Sequence, residues 1–225
     1  MRLAERYPSL PYVAPFVAFV GLLALGSALP LGPRSFATLH LAIVAGLLFV
    51  LSRHVLSLHA PSWFTSTLLG AGVFLIWIAP ELLVPDWREH WLFSNGLTGR
   101  IEKVIPPDWR SDPLVLALRY ARAAILVPLV EELFWRAWLP RWLDGKGEDF
   151  RKIPLGQYTL ASFWITAILF ASEHGSRWDV GLAAGVLYNW WMRRTRTLGD
   201  VVLAHAVTNA CLSAYILLRG KWEFW

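Results

Sequence analysis

The sequence predicts an all-α fold, a polytopic bundle of about seven (six to eight) transmembrane helices, and three observations carry that reading. Hydrophobic residues make up 56% of the chain and charged residues only 16%, against about 25% charged in soluble domains. The mean hydropathy is +0.45, so there are too few charges to coat a soluble exterior. Apolar runs of bilayer-spanning length, about 17–25 residues, recur along the chain. The third observation is its 14 tryptophans. Many sit at run edges, where amphipathic rings settle at a membrane interface: Trp63, Trp109, Trp138, Trp142, Trp178, Trp190, Trp191, Trp222 and Trp225.

The elements follow in order. Tyr12–Leu31, Phe36–Leu58 and Trp63–Val84 form three early spans, bounded by Pro11, Pro33 with Arg34, Pro61 and Pro85. Arg2 and Arg6 precede the first, and Gly26-Ser27-Ala28 offers small residues of the kind a signal peptidase reads. A retained first helix is the simpler expectation, since similar helices follow. Asp86–Asp112, with its charges and the Pro106-Pro107 pair, reads as a loop with a short interfacial helix. A long helix then runs from Pro113 to about Leu143. A Gly- and charge-rich loop follows, then Gln157–His174, Asp179–Met192 and Leu198–Leu218. No repeat or second domain is visible. Residues 1–225 are expected to form one integral membrane domain in which 113–218 carry the motifs. The short amino-terminal-side loops hold Arg53, Arg141, Lys146, Arg151, Lys152, Arg193, Arg194 and Arg196. That favours a cytoplasmic amino terminus.

The net charge of +5 fits basic loops facing anionic lipid. Without a long basic run, membrane lipids and not nucleic acid are the expected partners. Cys211 stands alone, so no internal disulfide forms.

Charges inside a span cost at least about 2.5–3.5 kcal/mol each at its centre and need a reason. Glu131-Glu132-Leu133-Phe134-Trp135-Arg136 lies on the long fourth helix. Adjacent carboxylates diverge by about 100° on a helix. Glu132 and Arg136, four apart, can pair, leaving Glu131 to face a cavity; the bland alternative is one salt-bridge network holding helices together. His174 closes the fifth helix after Phe170-Ala171-Ser172-Glu173, and His205 and Asn209 share a face of the last. Each of these could instead bond a neighbouring helix. Arg119 and Arg122 are expected to snorkel or to pair with Glu81 or Glu102. Measured from one membrane face, Glu131 stands about 18 Å up from Leu143 and His174 about 25 Å up from Gln157. His205 and Asn209 stand about 10 and 16 Å above Leu198, so all four groups fall within one half-bilayer of each other.

A buried carboxylate beside an imidazole can activate water. A second imidazole and a carboxamide supply donors for the oxyanion of a tetrahedral intermediate. No Ser or Cys stands in a nucleophile motif. The set therefore suits hydrolysis of a peptide bond inside the membrane by direct attack of water.

Glu131-Glu132-x-x-x-Arg136, Phe170-x-x-x-His174 and His205-x-x-x-Asn209, in that order, resemble the CAAX protease and bacteriocin-processing family of intramembrane proteases. The resemblance covers Pro128 to about Leu212; the first three helices carry no matching motif, and Ala137 stands where the family often has Gly. It implies Glu131 as general base, His174 as its assistant, and His205 with Asn209 as the oxyanion site. Glu132 and Arg136 would support them. The family has been described both as metal-dependent and as glutamate-dependent. If a divalent metal such as zinc takes part, Glu131, His174 and His205 are the candidate ligands, although the stronger His-Glu-x-x-His signature is lacking. The implied substrate is a membrane-associated peptide or protein, whose lipidation is left open. Short loops fit a multi-pass protein of a bacterial inner membrane. The competing expectation from another class is a non-catalytic membrane scaffold or immunity protein on the same helices.

Overall fold

The computed structural model describes residues 6–99 and 110–225. Glu102, Lys103 and Trp109 therefore lie outside the described residues. Among the described residues seven helices follow one another: α1 Leu10–Leu25, α2 Pro33–Ser52, α3 Trp63–Leu83, α4 Pro113–Gly145, α5 Leu160–Ser172, α6 Trp178–Thr195 and α7 Leu198–Arg219. Four of them, α2, α3, α4 and α7, are long and apolar enough to cross a membrane. Helices α1 and α5 are apolar but shorter, and α6 carries Asp179, Arg193 and Arg194 in its end turns. The outer surface is a belt of exposed Val17, Phe49, Val50, Phe64, Leu75, Ile125, Leu160 and Ile168. So many large apolar side chains turned outward suit a lipid surround. The molecule is an all-α integral membrane bundle.

The ends differ from the sequence reading for local reasons. Helix α1 stops at Leu25, not Leu31, where a 3-10 turn Gly26–Ala28 leads into extended Leu29. Helix α2 begins with Pro33 in its first turn, a position where the missing N–H costs nothing, and it stops at Ser52, not Leu58, in a π-turn Leu48–Ser52. Helix α5 starts at Leu160, not Gln157. The Thr159 hydroxyl caps it by accepting from Ser162 N, and Asp144 at the end of α4 accepts from Thr159 N (3.0 Å) and Ser162 Oγ (2.8 Å). One carboxylate thus sets the α4–α5 corner. In the loop after α3 only a 3-10 turn, Trp87–Glu89, forms before residue 100.

The core brings α3, α4, α6 and α7 together. Gly70 of α3 lies so close to α7 that a Cβ there would stand 2.3 Å from the Ala204 carbonyl oxygen. Thr208 Oγ1 donates to Gly70 O at 2.8 Å across the same seam. Gly185 of α6 meets Ala167 of α5 in the same way, at 3.1 Å from its carbonyl. Without a hydrophobic drive between helices in lipid, such small-residue seams and crossing hydrogen bonds hold membrane bundles together. Helix α1 packs on α4 through Phe16 stacked on Phe134 (4.1 Å), and Trp138 Nε1 donates to Ser9 Oγ (2.9 Å).

Helix α4 is not a uniform α-helix. Two π-turns, Arg122–Leu126 and Leu133–Trp138, bracket the α-turn Val127–Glu132 that bears the two glutamates. Each ends just before a proline. Val127 N donates to Arg122 O and Leu139 N to Phe134 O, and the next residues are Pro128 and Pro140. A proline ring cannot donate and crowds the carbonyl four residues back; widening the preceding turn relieves that crowding. π-bulges of this kind gather at functional sites.

Candidate active site

Glu131, His174, His205 and Asn209 all line one cavity of about 180 Å³. They come from α4, the α5–α6 turn and α7. Trp77 of α3, Phe170, Tyr188 and Thr208 complete the walls near them.

Glu131 contributes an oxygen, Oε2, that is buried with no hydrogen-bond partner among the described residues. Its neighbour Glu132 turns the other way and is 0% exposed. It meets Arg136 (Nε to Oε2 3.2 Å, Nη1 to Oε1 3.3 Å) and accepts from His205 Nδ1 at 2.7 Å. Glu132 is therefore more than half of a helix salt bridge. It holds His205, 73 residues along the chain, with Nε2 as the ring's remaining nitrogen. The Arg136 guanidinium lies 4.2 Å from the Phe170 ring centre and 5.3 Å from that of Tyr188. Tyr188 stacks on His205 at 5.1 Å. Arg136 itself is not in the cavity wall.

Helix α5 ends at Ser172, and His174 sits in the turn beyond it. Its Nδ1 lies 2.8 Å from Phe170 O. A carbonyl can only accept, so Nδ1 carries the proton and Nε2 keeps its lone pair. Trp77 meets the ring edge-on at 5.1 Å, and Gly181 of α6 gives it room, since a Cβ there would stand 3.1 Å from Nδ1.

Asn209 has a partner that the sequence reading did not anticipate. Its Nδ2 donates to Ala123 O at 2.9 Å. That carbonyl has lost both helical donors: Val127 N serves Arg122 O in the π-turn, and residue 128 is proline. A side chain from a neighbouring helix is one of the ways a bilayer-buried carbonyl freed by proline is satisfied. Asn209 thus ties α7 to the π-turn of α4, keeping its second N–H and its Oδ1 for the cavity.

Other expectations fare differently. Glu81 pairs with Arg88 (2.8 Å) and Arg177 (3.3 Å), where Arg119 or Arg122 was expected. Arg119 lies over the ring of Trp225 at 4.7 Å, and its other expected partner, Glu102, lies outside the described residues. Glu131, His174 and His205, the candidate metal ligands, share the cavity, and each imidazole has Nδ1 on a protein acceptor with Nε2 left over. Among the described residues no group of three His, Cys, Asp or Glu is placed to hold an ion, whereas zinc needs about three protein ligands. The sequence reading also missed Trp77, Tyr188, Phe224 and Trp225 as cavity walls. Tyr188 had a faint signal, a large polar ring in a Gly-rich helix; the others had none.

No curated protein and no solved structure matches the chain. Residues 113–211 match a family described as Type II CAAX prenyl endopeptidase Rce1-like, a stretch that holds α4 to α6 and the half of α7 bearing His205 and Asn209. It is over this segment that the chain is similar to the Rce1-like family.

Proposed function

We propose that the protein is an intramembrane endopeptidase that hydrolyses a peptide bond of a membrane-associated protein by water activated on Glu131. The observation that supports this reading is that Glu131, His174, His205 and Asn209 line one and the same cavity. A scaffold has no need for four convergent polar groups in an apolar bundle.

In this mechanism the water sits between Glu131 and the Nε2 lone pair of His174, each accepting one of its hydrogens. Glu131 takes one proton as the oxygen attacks the carbonyl carbon. The negative charge moves to the carbonyl oxygen, where the second N–H of Asn209 and Nε2–H of a protonated His205 meet it. Glu132, paired with Arg136, accepts from Nδ1 and so orients the His205 ring. The tetrahedral carbon then expels the amine, which takes its proton from Glu131, leaving a free amine and a carboxylic acid whose remaining proton passes to His174 Nε2. This mechanism routes no step through a metal, in keeping with the lack of a three-ligand group among the described residues.

The family match supports a CAAX-type tail as substrate, cut on the carboxyl side of a lipidated cysteine, and short loops support a bacterial inner membrane as the location. The test is incubation of detergent-purified protein with a farnesylated reporter peptide and its unmodified twin, the fragments being weighed by mass spectrometry. Release of the terminal tripeptide from the farnesylated peptide alone is the expected result. Intact peptides throughout would contradict the substrate class.

A further inference from the structure

The cavity is too small for what the proposed reaction places in it. At about 180 Å³ it falls below the roughly 300–1,000 Å³ of sites that enclose a small organic ligand, and a peptide spanning a scissile bond is no smaller. One wall has to move. The helical walls are poor candidates: α3 and α7 meet backbone to backbone at Gly70, as do α5 and α6 at Gly185, and α4 is tied to α7 by Asn209 on Ala123 O and by Glu132 with His205.

The remaining wall is the segment after α7. Gly220, at φ +65°, ends the helix and turns the chain back, so that Phe224 and Trp225 line the cavity opposite Glu131 and His174. Among the described residues its attachments to the helices are side-chain contacts: Phe224 packs with Ile78 and Ile216 in a small apolar cluster and meets the Tyr215 ring at 6.0 Å. Arg177 lies over Phe224 at 4.6 Å and Arg119 over Trp225 at 4.7 Å, while Trp225 stacks on Trp222 at 5.7 Å. Its backbone hydrogen bonds among the described residues stay within the segment, Phe224 N to Lys221 O and Trp225 N to Trp222 O. Ring and guanidinium contacts can part and re-form without breaking a helix. A Cβ on Gly220 would meet nothing closer than 3.8 Å, so the hinge itself is uncrowded.

We propose that Lys221–Trp225 is a gate on the cavity, hinged at Gly220 and latched by Arg119 and Arg177, that swings aside to admit the peptide. This rests on the protease reading given above. Closed, it keeps lipid chains and stray peptide from Glu131; open, it exposes the face where two latch cations flank the entrance.

The test compares cleavage of the farnesylated reporter by the wild type and by Phe224→Ala/Trp225→Ala. Apparent affinity is reduced by the fraction of protein that is open, so unlatching lowers KM, by about threefold or more if the gate is mostly closed. An unchanged or raised KM would overturn the gate. Loss of the double variant to misfolding is covered by a second measurement. Spin labels at Glu223→Cys and Leu83→Cys, in a Glu131→Gln/Cys211→Ser background, report the distance from the segment to the end of α3. That distance lengthens on saturation with the reporter if the gate opens, and a distribution identical with and without peptide refutes it. Wild-type protein that cleaves nothing would fault the protease reading instead, which keeps the two failures distinguishable.

Discussion

At the scale of single residues, two adjacent glutamates do different work because helix geometry points them apart. Glu131 faces the cavity with a buried, unpartnered oxygen, while Glu132 is spent on Arg136 and His205. Their substitutions should separate accordingly. Glu132→Gln leaves Arg136 as a buried charge without its counter-ion, a change that costs about 3–5 kcal/mol. It should lower the thermal midpoint in detergent markedly along with activity; an unchanged midpoint would show that the pair contributes nothing to stability. If Glu131 works on water alone, a chelator should leave cleavage within about twofold of the untreated rate, and loss that zinc restores would contradict the metal-free assignment. The four cavity residues were legible in the sequence because polar side chains in apolar runs are expensive and so announce themselves. The partnership of Glu132 with His205 was not, since it joins residues 73 apart and depends on how α4 and α7 face each other.

At the scale of elements, α4 shows how a helix is shaped for a site. Its π-turns place Val127–Glu132 between two widened segments, each closed by a proline. The prolines were visible in the sequence, yet the long apolar run read as one plain helix. Hydropathy reports length and says nothing of turn width. The consequence for Asn209 is measurable. Asn209→Ala strips Ala123 O of the side-chain donor it has among the described residues, and a buried unsatisfied acceptor costs about 1–3 kcal/mol. Pro128→Ala returns an N–H to the helix, so the penalty of Asn209→Ala should shrink by at least about 0.5 kcal/mol in that background. A double-mutant cycle on thermal unfolding reads this directly, and strict additivity would mean that the proline is not why Asn209 is needed there.

At the scale of the whole molecule, seven helices were expected and seven are found among the described residues, though four alone have both the length and the apolarity to span. Composition revealed the membrane bundle because the apolar exterior leaves no other solvent for it. It could not reveal the close seams or the returning segment 221–225. Both arise from glycines whose meaning depends on what lies opposite. Gly70→Leu tests the main seam: even its Cβ would press on Ala204 O, and overpacking costs about 1–3 kcal/mol or more. The yield of folded, monodisperse protein should fall, and a normal yield with an unchanged midpoint would mean that α3 and α7 separate freely.

The central claim is that Glu131 is the base that activates water in the cavity. It is tested most directly by the single-turnover cleavage rate of the farnesylated reporter, measured for the wild type beside Glu131→Gln. Glutamine keeps the shape and removes the base, so the account predicts a loss of at least about 10²-fold, within the range that general-base catalysis supplies, with the thermal midpoint of the variant unchanged. A folded Glu131→Gln protein that cleaves at the wild-type rate would contradict it.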